Sequence, residues 1–115
     1  MNEKREYNFF IDDIIDSIQK IELYAHGLSF DDFEKNIEKQ DAIIRRMEII
    51  GEAVKNIPPN IRMQFPQIPW KQIAGLRDII THNYSNLSSI RIWKIINQDI
   101  PELKTQMIYL KTSLN

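Results

Sequence analysis

Apolar residues recur along this chain at intervals of three and four positions, which is the spacing of one face of an α-helix. The clearest stripe has successive spacings of four, three, four and three residues: Ile43, Met47, Ile50, Val54 and Ile57. It predicts a helix over about residues 38–56. A second stripe lies beside it: Ala42, Ile49 and Ala53. A helix that is apolar on more than one side is covered on more than one side, so this helix should be central to the fold.

Local signals before and within that helix add detail. Isoleucines at helical spacing predict a first helix over about residues 4–25. Gly27 should end it, because glycine suits the left-handed position after a helix. Ser29 and Asp32 have the spacing of a capping box, so a short helical turn should follow them. Gly51 costs a helix about 1 kcal/mol relative to alanine, and we expect it to permit close approach of a neighbouring helix.

Prolines divide the second half of the chain. We expect an extended run over residues 65–69 and then a helix over about residues 69–83. Pro69 should occupy the first helical position, where its missing N–H is harmless. Ser88 or the serine after it should cap the next helix. Pro101 is expected to kink the chain or to restart the helix.

The composition is that of one ordinary globular domain. The 115 residues are 43% hydrophobic and 27% charged. Because no segment alternates as a strand does, we predict an all-α, four- to five-helix bundle formed by a single domain, residues 1–115. The absence of cysteine excludes disulfides and thiolate chemistry. We expect neither a signal peptide nor a membrane span, and therefore a cytoplasmic protein.

The net charge of −1 conceals an uneven distribution. Residues 1–61 hold eight basic and thirteen acidic side chains, whereas residues 62–94 hold five basic side chains against the single acid Asp78. Such a segment indicates a surface that faces an anion. The alternative is that its basic side chains pair with the acidic half within the fold.

The residues that carry candidate chemistry lie at the end of the helix predicted over 69–83. Arg77, Asp78, His82 and Tyr84 place a cation, a carboxylate, an imidazole and a phenol on one polar patch. His82 would exchange protons with a ribose 2′-hydroxyl or a leaving oxygen. Arg77 would hold the phosphate, and Asp78 would orient the imidazole or hold Arg77. This set therefore suits RNA cleavage, which needs no metal because the 2′-hydroxyl is an internal nucleophile.

A purely structural role for these residues is the alternative, because a histidine near a helix C-terminus and an Arg–Asp pair are common. A single histidine is also insufficient for acid–base catalysis that needs both a proton donor and a proton acceptor. A two-fold dimer would bring two copies of His82 and Arg77 into one groove, so self-association is part of the hypothesis.

Arg77, His82 and Tyr84 match the Arg-x4-His-x-Tyr pattern, and the chain thereby resembles the HepT-like toxins of the HEPN superfamily. The polar residue after the arginine, here Asp78, belongs to the same pattern. The resemblance extends over about residues 5–112. It includes Trp93 and four further segments: Arg45–Ala53, Pro66–Trp70, Ile73–Arg77 and Asp99–Pro101.

The resemblance implies a HEPN-type helical homodimer that acts as a metal-independent endoribonuclease, with the Arg and His of both subunits in an interface groove. It implies that the partner is a minimal nucleotidyltransferase antitoxin, which transfers AMP from ATP onto the motif tyrosine, here Tyr84. We expect RNA as substrate and no cofactor. Because the segment Arg45–Ala53 belongs to the resemblance, Arg46 and Glu48 are supporting candidates near the groove.

Other readings stay open at this point. Arg45, Glu48 and Glu52 share one helix face, and an ion-pair set within that helix is the default interpretation. The acidic residues Asp12, Asp13 and Asp16 indicate a solvated helix face rather than a metal site. The chain as a whole could be a catalytically silent helical subunit that binds a nucleotidyltransferase. It could also be a structural helical dimer in which the motif is an ion-pair network.

Overall fold

The computed structural model describes residues 3–83 and 88–114, with the side chains of residues 4–77 and 88–114. Every regular element in these ranges is helical, which confirms the all-α class. In chain order the elements are α1 (Glu3–Ala25), α2 (Phe30–Lys35), α3 (Ile37–Lys55), α4 (Pro59–Gln64), α5 (Trp70–Asn83), α6 (Ser89–Lys94), a π-helical segment (Ile95–Asp99) and α7 (Ile100–Leu114). Because α6, the π-helical segment and α7 are continuous, the described ranges contain four long helical units and two short helices.

The connection between α1 and α2 follows the local signals in the sequence. Gly27 has a φ of 74°, the left-handed conformation expected after the end of a helix. The Ser29 side chain accepts a hydrogen bond from the backbone N–H of Asp32 at 3.1 Å, and the Asp32 carboxylate accepts one from the backbone N–H of Ser29 at 3.3 Å. The predicted capping box is therefore formed, and α2 begins where it was expected.

The helix α3 is the centre of the molecule, as its two apolar stripes predicted. It packs against α1 on one side and α5 on the other. All five residues of its main stripe are buried, as is Ala53 of the second stripe. From α1, four isoleucines complete this part of the core: Ile11, Ile14, Ile18 and Ile21.

The segment before α5 differs from the extended run that the prolines suggested. Residues 66–68 form a turn, in which the backbone N–H of Ile68 donates to the carbonyl of Phe65 at 3.1 Å. Pro69 precedes α5 rather than occupying its first position, and its carbonyl accepts the hydrogen bond from Ile73 that opens the helix, at 3.1 Å. The indole N–H of Trp70 closes the turn, since it donates to the carbonyls of Arg62 and Phe65 at 3.1 and 3.0 Å.

The last helical unit begins at a serine cap and contains Pro101. Ser88 caps α6 as predicted, since its hydroxyl accepts from the backbone N–H of Arg91 at 3.2 Å. The α-helix α7 begins at Ile100, directly before Pro101, so an α-helix restarts at this proline, as one of the two predictions had it. The π-helical segment just before it widens the helix, and this spares the proline ring the clash with the preceding turn that an α-helix would impose.

Candidate functional site

A groove of about 300 Å³ opens between α1, α3 and the middle of α5. Its apolar lining comes from Phe10 of α1 and from Ile49 and Ala53 of α3. Its polar lining comes from all three helices: Asp13, Arg45, Glu48, Glu52, Asn56 and Arg77. The packing of α5 on α3 thus places the arginine of the motif beside the face of α3 that carries three of the charged residues.

Two contacts hold Arg77 at this groove. Its Nε donates to Oε2 of Glu52 at 2.9 Å. Its backbone lies against Gly51, where an added Cβ would come within 2.8 Å of the Arg77 Cβ and 2.9 Å of its backbone nitrogen. Gly51 therefore permits the close approach of α5 to α3, as predicted from the sequence. The pair with Glu52 is the contact that the sequence did not show.

Glu52, one member of the ion-pair set predicted within α3, pairs with Arg77 of α5. Glu48 lies one helical turn before Glu52 and Arg45 about two turns before it, and both line the groove. Arg46 is half-buried and is not among the described residues that line this groove. The described lining holds three carboxylates and two arginines, so the groove has mixed charge.

The basic segment 62–94 does not form a single patch among the residues described. Arg77 lines the groove just described, whereas Arg91 lines a second groove of about 610 Å³ between α5 and α7. The walls of that second groove are mostly apolar and include Ile73, Leu76 and Leu103. Arg77 pairs with Glu52 of the acidic segment 1–61, as the alternative interpretation of the charge distribution predicted.

The remaining motif residues lie at or beyond the end of α5. Asp78 and His82 belong to this helix and are four residues apart, which is one helical turn, but their side chains lie outside the described residues. Tyr84 lies outside the described residues altogether. The convergence of these three side chains with Arg77 remains a prediction from the sequence.

Other residues singled out in the sequence have ordinary surroundings. Asp12 pairs with Lys111, and Asp16 pairs with Lys20 at 3.1 Å. Trp93 packs against the ring of Phe33 with a centroid distance of 5.2 Å. Within residues 3–83 and 88–114, no helix is long and apolar enough to cross a bilayer.

The fold and the groove define an all-α domain in which the arginine of the Arg-x4-His-x-Tyr motif is anchored by the central helix α3. The family model described as "Ribonuclease HepT-like" matches residues 14–110. The chain therefore belongs to the HepT-like ribonuclease family.

Individual relatives agree with this assignment. The "Probable ribonuclease HepT" of Thermococcus cleftensis is 40% identical over 101 residues, which cover 88% of this chain and 92% of that protein. The "Putative RNase MJ1380" of Methanocaldococcus jannaschii is 36% identical over 104 residues, or 90% of this chain and 95% of that protein. No solved structure gives a significant match.

A third relative is longer than this chain. The "Gamma-glutamylcyclotransferase and putative RNase MJ0434" of Methanocaldococcus jannaschii is 37% identical over 112 residues. These residues are 97% of this chain, yet the chain spans about half the length of that relative.

Proposed function

We propose that this chain is a metal-independent endoribonuclease and the toxin of a toxin–antitoxin pair, with a composite active site at the interface of a homodimer. One observation carries the proposal: the family match over residues 14–110 includes the whole Arg77–Tyr84 motif. The structure adds support, because the side chain of Arg77 lines an open groove rather than the core. An arginine placed in this way is accessible to a phosphate of an RNA strand.

The proposed reaction uses the substrate's own 2′-hydroxyl. One His82 takes the proton of this hydroxyl, and the 2′-oxygen forms a bond to the adjacent phosphorus while the bond to the 5′-oxygen breaks. The His82 of the second subunit gives a proton to that leaving oxygen. Arg77 stabilises the charge that grows on the phosphoryl oxygens, and Asp78 orients the His82 ring. The products are a 2′,3′-cyclic phosphate and a free 5′-hydroxyl.

Regulation is proposed to act on Tyr84. A cognate minimal nucleotidyltransferase would transfer AMP from ATP to the phenol oxygen and release pyrophosphate. Since Tyr84 follows His82 by two residues, the added phosphate and nucleoside would occupy the groove in place of RNA. Arg46 and Glu48 keep the supporting role that the sequence suggests, with Glu48 in the lining of the groove around Arg77.

Cleavage of RNA by the purified protein in EDTA, beside the His82→Ala variant, tests the proposal. The protein is expressed without a nucleotidyltransferase, and its intact mass is checked to show that Tyr84 carries no AMP. We expect wild type to cut RNA and His82→Ala to be folded and inactive. Full activity of His82→Ala would overturn the assignment of this residue.

Absence of cleavage by clean, dimeric wild-type protein would favour the alternative of a silent subunit that binds a nucleotidyltransferase. Co-expression with the transferase then separates modification from binding. We expect a mass increase in units of AMP that disappears in Tyr84→Phe. A mass increase that persists in Tyr84→Phe would contradict the assignment of Tyr84.

A further inference from the structure

We propose that Glu52 is a positioning residue for Arg77, which it turns so that the two Nη groups of the guanidinium face the phosphate. The inference rests on the proposed function, in which Arg77 holds the phosphate that is cut. It adds to that function a residue of the central helix that lies outside the motif.

The first observation is the bond itself. Glu52 on α3 and Arg77 on α5 meet through Oε2 and Nε at 2.9 Å, which is the length of a charge-assisted hydrogen bond. A guanidinium has five N–H donors in one plane. Since Glu52 takes the Nε–H, a phosphate that binds with two parallel hydrogen bonds is directed to the opposite edge, where Nη1 and Nη2 donate.

The second observation is independent of the first and concerns the base of the same side chain. The Cα, Cβ and backbone nitrogen of Arg77 all lie within 3.3 Å of the position that a Cβ on Gly51 would take. Gly51 and Glu52 are consecutive residues of α3. Consecutive residues of one helix therefore hold both ends of Arg77, its backbone through close packing and its Nε through a hydrogen bond.

The exposure of the pair argues against a role in stability. The side chains of Arg77 and Glu52 are 42% and 56% exposed. Ion pairs as open as this contribute about 0–1 kcal/mol to the free energy of unfolding. The pair between α3 and α5 therefore adds little stability, and its better explanation is that it orients Arg77. Orientation matters because misplacing a catalytic group by about 1 Å costs on the order of 100-fold in rate.

The kinetic test compares Glu52→Ala and Glu52→Gln with wild type on a short single-stranded oligoribonucleotide. We expect Glu52→Ala to lower kcat by about 10- to 100-fold with little change in KM. Glu52→Gln should recover part of this loss, because its amide oxygen still accepts from the Nε–H. The control is Glu22→Ala, which breaks a similarly exposed inter-helix pair, Glu22 with Lys104 at 3.0 Å, and should leave kcat unchanged.

A spectroscopic test does not depend on cleavage. The Nε–H signal of Arg77 is assigned in a ¹⁵N–¹H spectrum by its loss in Arg77→Lys. We expect it to shift in Glu52→Gln and to persist when a DNA strand of the same sequence, which lacks the 2′-hydroxyl, is added to wild type. Persistence means that the strand binds without displacing Glu52.

The two tests separate the failure of this inference from the failure of the proposed function. Wild-type kcat in Glu52→Ala, alongside an inactive Arg77→Ala, would overturn the role of Glu52 while leaving the ribonuclease intact. The role of Glu52 would also be overturned by an Nε–H signal that does not shift in Glu52→Gln, or by one that is lost when the DNA strand binds. If wild type cuts no RNA, the proposed function fails, and the spectrum alone decides whether Glu52 orients Arg77.

Discussion

The functional and the structural interpretations of the motif make opposite predictions for Arg77. Alanine at this position keeps the Cβ that packs against Gly51 and removes the guanidinium. The lost ion pair is half exposed, so the free energy of unfolding should change by less than about 1 kcal/mol. Removal of a group that stabilises transition-state charge costs about 100- to 1,000-fold in rate.

We therefore expect Arg77→Ala to retain its fold and to lose cleavage by at least about 100-fold. Cleavage by Arg77→Lys should also be impaired, because an ammonium cannot replace the planar, bidentate contact of a guanidinium with phosphate. Chemical denaturation and RNA cleavage measure the two effects. A large loss of stability with unchanged cleavage would instead identify the motif as an ion-pair network.

The residues of the motif could be found from the sequence because they follow one another at fixed spacing within a short stretch of the chain. The partner of Arg77 could not be found in this way. Glu52 lies 25 positions earlier in the chain. Arg45 and Glu48 have the three-residue spacing of an ion pair within one helix, which favoured an ion-pair set inside α3. Only the packing of α5 onto α3 shows that Glu52 faces Arg77. The expectation that Gly51 allows close approach was the one sequence signal that pointed to this contact.

The close contact of α3 with α5 predicts different effects on stability for alanine at Gly51 and at Gly75, two glycines inside helices. Alanine usually stabilises such positions by up to about 1 kcal/mol. At Gly51, however, the new methyl group would meet the Cβ and backbone of Arg77 at under 3.0 Å, and backbone atoms cannot move aside cheaply. We expect Gly51→Ala to lower the free energy of unfolding by about 1–3 kcal/mol and to reduce cleavage by displacing Arg77.

Gly75→Ala is the matched control on α5. A Cβ at Gly75 has nothing within 4 Å, so the substitution should be neutral or stabilising. Thermal unfolding of both variants, with cleavage assays on each, makes the comparison. Equal stability of the two variants would contradict the packing described here.

Helix boundaries followed from the sequence where local chemistry sets them. The end of α1 depends on Gly27, and the start of α2 depends on the Ser29–Asp32 capping box. Both signals involve only nearby residues. The error lies before α5, where residues 66–68 form a turn and not an extended run. At Pro101 the restart of the α-helix was expected, but the π-helical segment before it was not. This segment makes room for the proline ring, and Ile95, Ile96 and Ile100 are buried in the core around it.

At the scale of the whole molecule, the proposed reaction requires two chains. The proposed reaction needs a proton acceptor and a proton donor, and each chain has one motif histidine. A homodimer with Arg77 and His82 of both subunits in one groove supplies both. The proposal therefore makes a prediction that concerns the assembly rather than any one residue.

A mixed dimer of wild type with His82→Ala should have far less than half of the wild-type activity. Its single His82 can act as proton acceptor or as proton donor, but the proposed reaction needs both in one groove. We expect cleavage to fall by at least about 100-fold, whereas two independent one-chain sites would retain about half of the activity. Co-expression with two different affinity tags, followed by sequential purification, isolates this heterodimer.

A doubly tagged wild-type dimer, prepared in the same way, is the control for losses during purification and should be fully active. A heterodimer that keeps about half of the wild-type cleavage would contradict a site shared across the interface. So would a wild-type protein that light scattering shows to be a monomer at concentrations at which it cuts RNA. Loss of nearly all cleavage on removal of one of the two His82 side chains has a single explanation within the proposed reaction: the proton acceptor and the proton donor act from different chains.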